Sequence, residues 1–368
     1  MRKGISLHIG LNSIDPAYYG DPAVLKNPEN DANAMEKLAL AEGFQAKKLL
    51  TAGATANNVL SEIYKAATLL QPGDTFLLTY AGHGAQVRDL NKEEADGYDE
   101  TWVLYDRMLI DDEIYNCWSR FSPGVRIIVL SDSCHSGTVV RFFDLTKLDN
   151  IYFPKNNVYR CLDTELAKKA FTRDIETYQS IKYALRGDQE RNVGATVLLI
   201  SGCQDNQLSS DGDQNGLFTA ELLNTWQNGS FVGDYRHFHV SIRSNMPPIQ
   251  VPNFMIIGTP NPLFEKQRPF TINEQQRESE MLESSAGVNR KEATFLLQIP
   301  KEELENISED HLKNYFKEKG GDILFETYKS VSETASCTYF TRATGGLDIG
   351  CKVEKDKWSC EGRLSIRF

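Results

Sequence analysis

Thr75-Phe76-Leu77-Leu78-Thr79 runs directly into Tyr80-Ala81-Gly82-His83-Gly84, and Arg126-Ile127-Ile128-Val129-Leu130-Ser131 runs directly into Asp132-Ser133-Cys134-His135-Ser136-Gly137. Both apolar runs are short and continuous, the pattern of strands buried on both faces of a parallel sheet. Open α/β sheets gather their chemistry at the carboxyl ends of such strands. One strand delivers a histidine and the other a cysteine, the two parts of a thiol nucleophile and its base.

Outward from these strands the same alternation continues. Ile5 to Leu11 reads as a strand. From Asp31 to Gly43 the residues Met35, Leu38 and Ala39 fall at helical spacing with Gly43 as the stop, and Phe44 to Leu50 follows as a strand. Thr55 to Leu70 places Val59, Ile63, Ala66, Ala67 and Leu70 on one helical face, and Pro72-Gly73-Asp74 makes the turn into the histidine strand. Thr196 to Ile200 supplies a further buried strand. Strands separated by helices predict a βαβ sheet, covered on both faces, with right-handed crossovers.

His83 and Cys134 stand 51 residues apart, which agrees with the caspase arrangement of a histidine about fifty residues upstream of the cysteine. With its two strings the chain resembles the caspase/metacaspase clan of cysteine peptidases. The match is to the metacaspase and bacterial caspase-like (orthocaspase-type) branch, because the cysteine lies in DSCHSG and not in the QAC[RQG]G form of animal caspases. Asn30-Asp31-Ala32, Asp96-Gly97-Tyr98-Asp99-Glu100, Asp111-Asp112-Glu113, and Ser201-Gly202-Cys203-Gln204-Asp205-Asn206-Gln207 with Gly216-Leu217-Phe218-Thr219 resemble family motifs in the family order. The resemblance covers residues 1–262. It implies a caspase-like, mostly parallel α/β sheet with helices on both faces, and an endopeptidase that cuts after Arg or Lys through an acyl-enzyme.

A free thiol attacks as thiolate and has a pKa near 8.5, so Cys134 needs a base. His83 can take its proton and later protonate the leaving amine, while the backbone N–H groups of Gly84 and Cys134 are the expected oxyanion donors. Cys203 lacks a histidine motif and reads as structural. By resemblance, Asp31 and Asp132 form an acidic pocket for the basic residue before the scissile bond, with Asp205 added to the same wall. The plain alternative for Asp31 is a first-turn carboxylate stabilised by the helix dipole. The resemblance also offers Asp96, Asp99, Asp111 and Asp112 as calcium ligands, in a stretch with ten acidic residues between Asp89 and Glu113; the alternative is a solvated loop. Asp211-Gly212-Asp213 imitates the start of an EF-hand loop, but Leu222 stands at its twelfth position, so a turn is expected.

The chain has 368 residues, seven cysteines and a formal net charge of −11. The charge argues against a nucleic-acid partner, which clustered Lys and Arg would have to hold, and suits a basic protein substrate. No apolar run approaches the ~18 residues of a membrane span, and the amino terminus enters a strand directly. Reduced thiols and a cytoplasmic location are expected, and no organic cofactor.

Residues 141–193 carry ten Lys or Arg with little apolar periodicity, and in the resembling family this region is cut during maturation. An upstream protease is a possible partner there; a surface insertion with a short helix over Thr164 to Thr177 is the plain alternative. Residues 263–291 read as a linker. Residues 292–368 read as a small α+β domain, with strands at 293–299, 323–327, 336–341 and 364–368 and a helix at 309–319. Two other functions stay open: a caspase-fold signalling scaffold, and a Cys-His amidase or transferase acting on non-peptide substrates.

Overall fold

The computed structural model describes residues 2–90, 98–134, 158–185, 192–203, 209–212, 214–247 and 250–273, together with the backbone strands 292–297, 325–331, 337–343, 347–354 and 357–365. The chain divides into two compact units, Met1–Glu274 and Gln275–Phe368.

In chain order the first unit contains β1 (Gly4–Gly10), α1 (Pro16–Tyr19), α2 (Pro28–Ala41), β2 (Gln45–Leu50), α3 (Ala56–Leu69), β3 (Thr75–Ala81), β4 (Gly84–Arg88), β5 (Tyr98–Val103), β6 (Met108–Ile110), α4 (Asp111–Ser119) and β7 (Arg126–Asp132). It continues with α5 (Thr164–Arg173), α6 (Ile175–Leu185), β8 (Thr196–Ser201), α7 (Leu217–Trp226), α8 (Tyr235–Asn245), β9 (Asn253–Gly258) and α9 (Pro262–Glu265). Six strands form the main sheet in the order β2-β1-β3-β7-β8-β9. Only β9 runs antiparallel to its neighbour. This is the mostly parallel, doubly covered α/β sheet the sequence predicts.

Every residue of β3 and β7 is buried, which is why both read as continuous apolar runs instead of alternating ones. Alternate residues serve opposite faces. Phe76, Leu78, Tyr80, Ile127 and Val129 pack with Val59 and Ile63 of α3 and Trp118 of α4, whereas Leu77, Ile128 and Leu130 pack with Met35 and Leu38 of α2 and Phe218 and Leu222 of α7. Truncating one such residue, Ile128→Ala for example, costs about 2–5 kcal/mol. The α3 helix starts where expected, with the Thr55 hydroxyl accepting from the Asn58 N–H.

A second, antiparallel sheet, β4-β5-β6, begins at the residue after His83. Tyr80 stacks on Trp102 of β5 with ring centroids 4.6 Å apart.

The basic segment after Cys134 departs from expectation. Its described part, 158–185, is an extended stretch followed by two helices, α5 and α6. Ala167, Ala170, Phe171 and Tyr178 are buried in the core under the main sheet. Two short helices interrupted at Asp174 give a weak periodic signal, because neither is long enough to repeat its apolar face more than two or three times. The core of the first unit also runs on past Pro262, taking in Phe264, Phe270 and Ile272.

In the second unit β10 (Glu292–Leu297), β11 (Phe325–Val331), β12 (Cys337–Ala343), β13 (Leu347–Glu354) and β14 (Lys357–Ser365) form an antiparallel sheet in the order β10-β14-β13-β12-β11. The reading missed β13, although Leu347, Ile349, Cys351 and Val353 alternate with polar or glycine positions. The helix expected at 309–319 lies outside the described residues.

Candidate active site

Ala81 of β3 pairs with Asp132 of β7, so His83 and Cys134 leave the sheet from adjacent strand ends. The His83 backbone is fixed by the Tyr80 hydroxyl and the Val103 N–H, which donate to its carbonyl at 2.5 and 3.0 Å. Its ring is buried, with Nε2 on the Ala23 carbonyl at 2.7 Å. Nδ1 has no hydrogen-bond partner among the described residues. Burial holds this imidazole below its ordinary pKa and so neutral. The Cys134 thiol receives the Ser209 N–H and packs against Cys203, whose thiol donates to the Ser133 carbonyl at 3.2 Å. Burial first, and the Cys203 thiol second, push it well above a free cysteine. No hydrogen bond joins the two side chains to each other.

What fills the space over Cys134 is the chain itself. Residues 158–160 pair antiparallel with 209–211: Arg160 N–H donates to Ser209 O at 2.9 Å and Asp211 N–H to Val158 O at 2.9 Å. On the far side Leu162 N–H donates to Gly84 O at 2.9 Å. Between these anchors the Arg160 carbonyl accepts two N–H groups, those of Gly84 at 3.0 Å and Cys134 at 3.1 Å. The Arg160 side chain, fully buried, enters a cage of three carboxylates, at 2.5 Å from Asp31, 3.0 Å from Asp132 and 3.0 Å from Asp211. Each carboxylate is braced in turn. Asp31 accepts from Asn215 and the Gly216 N–H, Asp132 from Ser209, Thr219 N–H and Thr219 hydroxyl, and Asp211 from the Lys26 N–H. The carboxyl of Asp31 is pushed up to about 6, chiefly by burial and against the pull of Arg160.

The caspase domain model matches residues 6–275. The chain belongs to the caspase-domain family. It is 29% identical over 269 residues to Metacaspase-1B of Aspergillus fumigatus, covering 62% of this chain and 63% of that protein. It is likewise 29% identical over 254 residues to Metacaspase-1 of Schizosaccharomyces pombe, covering 60% and 58%. The chain thus spans about three fifths of the length of these relatives. The crystal structure of protein GSU0716 from Geobacter sulfurreducens matches with a TM-score of 0.66 and 45% identity, over 74% of this chain and all of that one.

Within this caspase domain, Asp31 and Asp132 stand together as the sequence reading places them, and Gly84 and Cys134 present their N–H groups to one carbonyl. Asp205 lies outside the described residues. The third carboxylate of the cage is Asp211, for which the sequence predicts only a turn, since Leu222 stands where an EF-hand loop needs its glutamate; Gly212 does turn there, with φ +64°. Two glycines are steric requirements of the site. A Cβ at Gly84 would run into the Cys134 carbonyl, and one at Gly216 would lie 2.5 Å from both the Arg160 guanidinium carbon and Asp132 Oδ2. Arg160 itself carried no local signal, being one of ten basic residues in its segment.

Of the calcium candidates, Asp99, Asp111 and Asp112 cluster, whereas Asp96 lies outside the described residues. The cluster already holds a cation. The ammonium of Lys182, on α6, is 2.8 Å from Asp99, 2.7 Å from Asp112 and 3.4 Å from Asp89. Calcium would have to displace Lys182 to reach two of the three carboxylates, so the donor set does not fit that ion as it stands. Asp111, left to the side of Lys182, is pushed up to about 8 by burial and then by Asp99, Asp112 and Glu100.

Among the described residues no helix is long and apolar enough to cross a membrane.

Proposed function

We propose that the protein is a cysteine endopeptidase that cuts after Arg or Lys, and that it activates itself by cutting its own Arg160–Cys161 bond. The observation that carries this reading is the posture of Arg160. Its charge fills the acidic cage while its carbonyl sits on the two N–H groups expected to receive an oxyanion, as a substrate's would. Three buried carboxylates repel one another until a cation enters, so a guanidinium or ammonium is the favoured occupant.

In this mechanism His83 takes the Cys134 proton through the unpartnered side of its ring. The sulfur attacks the carbonyl carbon, and the developing oxyanion is held by the Gly84 and Cys134 N–H groups. Collapse breaks the C–N bond, the departing amine takes the proton from His83, and water hydrolyses the thioester. The uncut protein is quiescent for two reasons on this account: its pocket is filled, and its thiol is kept protonated by burial. An upstream protease acting in the same segment is a second route to the cut form. The unpaired thiols of Cys117, Cys134, Cys161 and Cys203 support a reducing, cytoplasmic setting.

The test is turnover of Arg-amide against Asp-amide peptides by wild type, Cys134→Ala and His83→Ala, with the chain followed by mass spectrometry. Wild type is expected to cut Arg-amide peptides and itself after Arg160. Both variants are expected to stay whole, inactive and folded. Activity retained by either variant, or a preference for Asp, would sink the proposal.

A further inference from the structure

In a protein substrate the amine released by cleavage diffuses away. In the self-cut chain it has nowhere to go. Leu162, the residue after Cys161, is 1% exposed in the main core, and its N–H donates to the Gly84 carbonyl of β4 at 2.9 Å. Asp163 caps α5 by accepting from the Glu165 and Leu166 N–H groups. Further on, Phe171 and Tyr178 are buried and Lys182 is clamped by carboxylates. None of these contacts depends on the Arg160–Cys161 bond. The upstream side is held differently, by the ion pairs of one side chain and a short pairing with 209–211, so it is the side that can be exchanged.

We infer that the amino terminus created at Cys161 stays docked beside Cys134 and acts as a resident acyl acceptor, so that self-cleavage is resealable and the cut protein transfers Arg-ended acyl groups onto its own Cys161. This rests on the self-cleaving peptidase reading.

The residue at the new terminus suits the role. The Cys161 thiol packs against the Cys134 and Cys203 pair, and it adjoins its own freed α-amine. When Cys134 carries an Arg-ended acyl group as a thioester, the Cys161 thiol attacks the carbonyl carbon. A C–S bond to Cys161 forms, the C–S bond to Cys134 breaks, and the proton passes from one thiol to the other through His83. The α-amine of Cys161 then attacks the same carbon. The amide C–N bond forms, the new C–S bond breaks, and the Cys161 thiol regains its proton. The exchange needs no oxidant, reductant or further substrate. Well-oriented intramolecular partners reach effective molarities of about 10⁵ M or more, which lets a docked acceptor compete with water.

The test uses wild-type protein that has been allowed to cut itself. Excess Val-Tyr-Arg amide bearing a fluorescent tag on its amino end, the sequence of residues 158–160, is added and the reaction quenched within the first turnovers. The fragment beginning at Cys161 is expected to gain the mass of tagged Val-Tyr-Arg in a linkage that survives hydroxylamine. In Cys161→Ser, which keeps the backbone anchors but offers a weaker nucleophile, labelling is expected to fall about tenfold or more relative to donor hydrolysis. Hydrolysis of the donor and cutting after Arg160 with no tag on that fragment, or a tag that hydroxylamine removes, would overturn the inference and leave the peptidase reading standing. Absence of both cutting and donor turnover would sink the two together.

Discussion

Two cations from one connecting segment each sit among three aspartates, and only one of them lays its carbonyl on the Gly84 and Cys134 N–H groups. Arg160 meets Asp31, Asp132 and Asp211; Lys182 meets Asp89, Asp99 and Asp112. The charge count is the same. The difference lies in the backbone. Arg160 is in extended chain, paired along 209–211 and tied across Gly84, so its carbonyl is free to take the Gly84 and Cys134 N–H groups. Lys182 is inside α6, where the backbone is committed to helical hydrogen bonds and presents no carbonyl to a nucleophile. On the proposed function, a basic side chain in an acidic cage is a substrate or a clamp according to its main chain. Side-chain chemistry sharpens the contrast, since the guanidinium fork reaches its carboxylates through several donors whereas the ammonium is a point charge.

The largest test of this contrast exchanges the two cations' fates. Arg160→Gln loses the charge and the reach of the guanidinium while staying polar, and cutting at position 160 should slow by about 10³-fold or more, because the cage is left without its cation. Lys182→Met should leave the position of the cut unchanged. If Lys182→Met also abolished cutting while the protein stayed folded, the division between substrate and clamp would fail. The readout is the mass of the fragments over time.

Next in size are the walls of the Arg160 cage. Asp211→Ala is predicted to lower kcat/KM for Arg peptides by about 10–100-fold, since a hydrogen bond to a charged group is worth about 1.5–3 kcal/mol. Ionised Asp31 is the form that pairs with a cation, and its carboxyl is pushed up to about 6. As pH falls through about 6 the carboxyl takes up a proton and the pairing is lost. The kcat for Arg peptides, which reports the filled cage, should therefore drop on the acid side of pH 6, and Asp31→Asn should flatten that limb. An acid limb unchanged in the variant would remove Asp31 from the pocket's ionisation.

The clamp is predicted to act on stability. Losing one partner of a fully buried ion pair costs about 3–5 kcal/mol; Asp112 is 21% exposed, so the cost of Lys182→Met should be smaller, seen as a fall in Tm. Calcium should raise the Tm of Lys182→Met and leave wild type unmoved, because only the variant has freed carboxylates. Equal calcium responses would show that Lys182 does not guard the cluster.

The smallest effect is expected at Asp111, whose partial exposure lets solvent screen most of the charge penalty. Its folded pKa, about 8, lies above that of an unfolded aspartate, so the fold disfavours its ionised form. That burden grows as pH rises from the unfolded pKa and levels off above about 8. Asp111→Asn should thus raise Tm slightly, by an amount that increases from pH 5 to pH 8 and then stays constant. A gain greatest at pH 5 would contradict the assignment.

The sequence alone determined the main sheet and the chemistry at its edge. Thr75–Ala81 and Arg126–Asp132 are buried on both faces, so the apolar run itself encodes the strand, and the second residue after each strand is delivered to the site by chain continuity. His83, Gly84, Cys134 and Asp132 were legible for that reason. The tertiary structure alone decided which charges meet. Arg160 finds Asp31 across 129 residues and Asp211 across 51, and Lys182 finds Asp99 across 83. Nothing local distinguishes Arg160 from the nine other basic residues around it, or Asp211 from an ordinary turn aspartate. What selects them is the alignment of one extended stretch between 209–211 and Gly84, a non-local pairing that no pattern within the segment encodes.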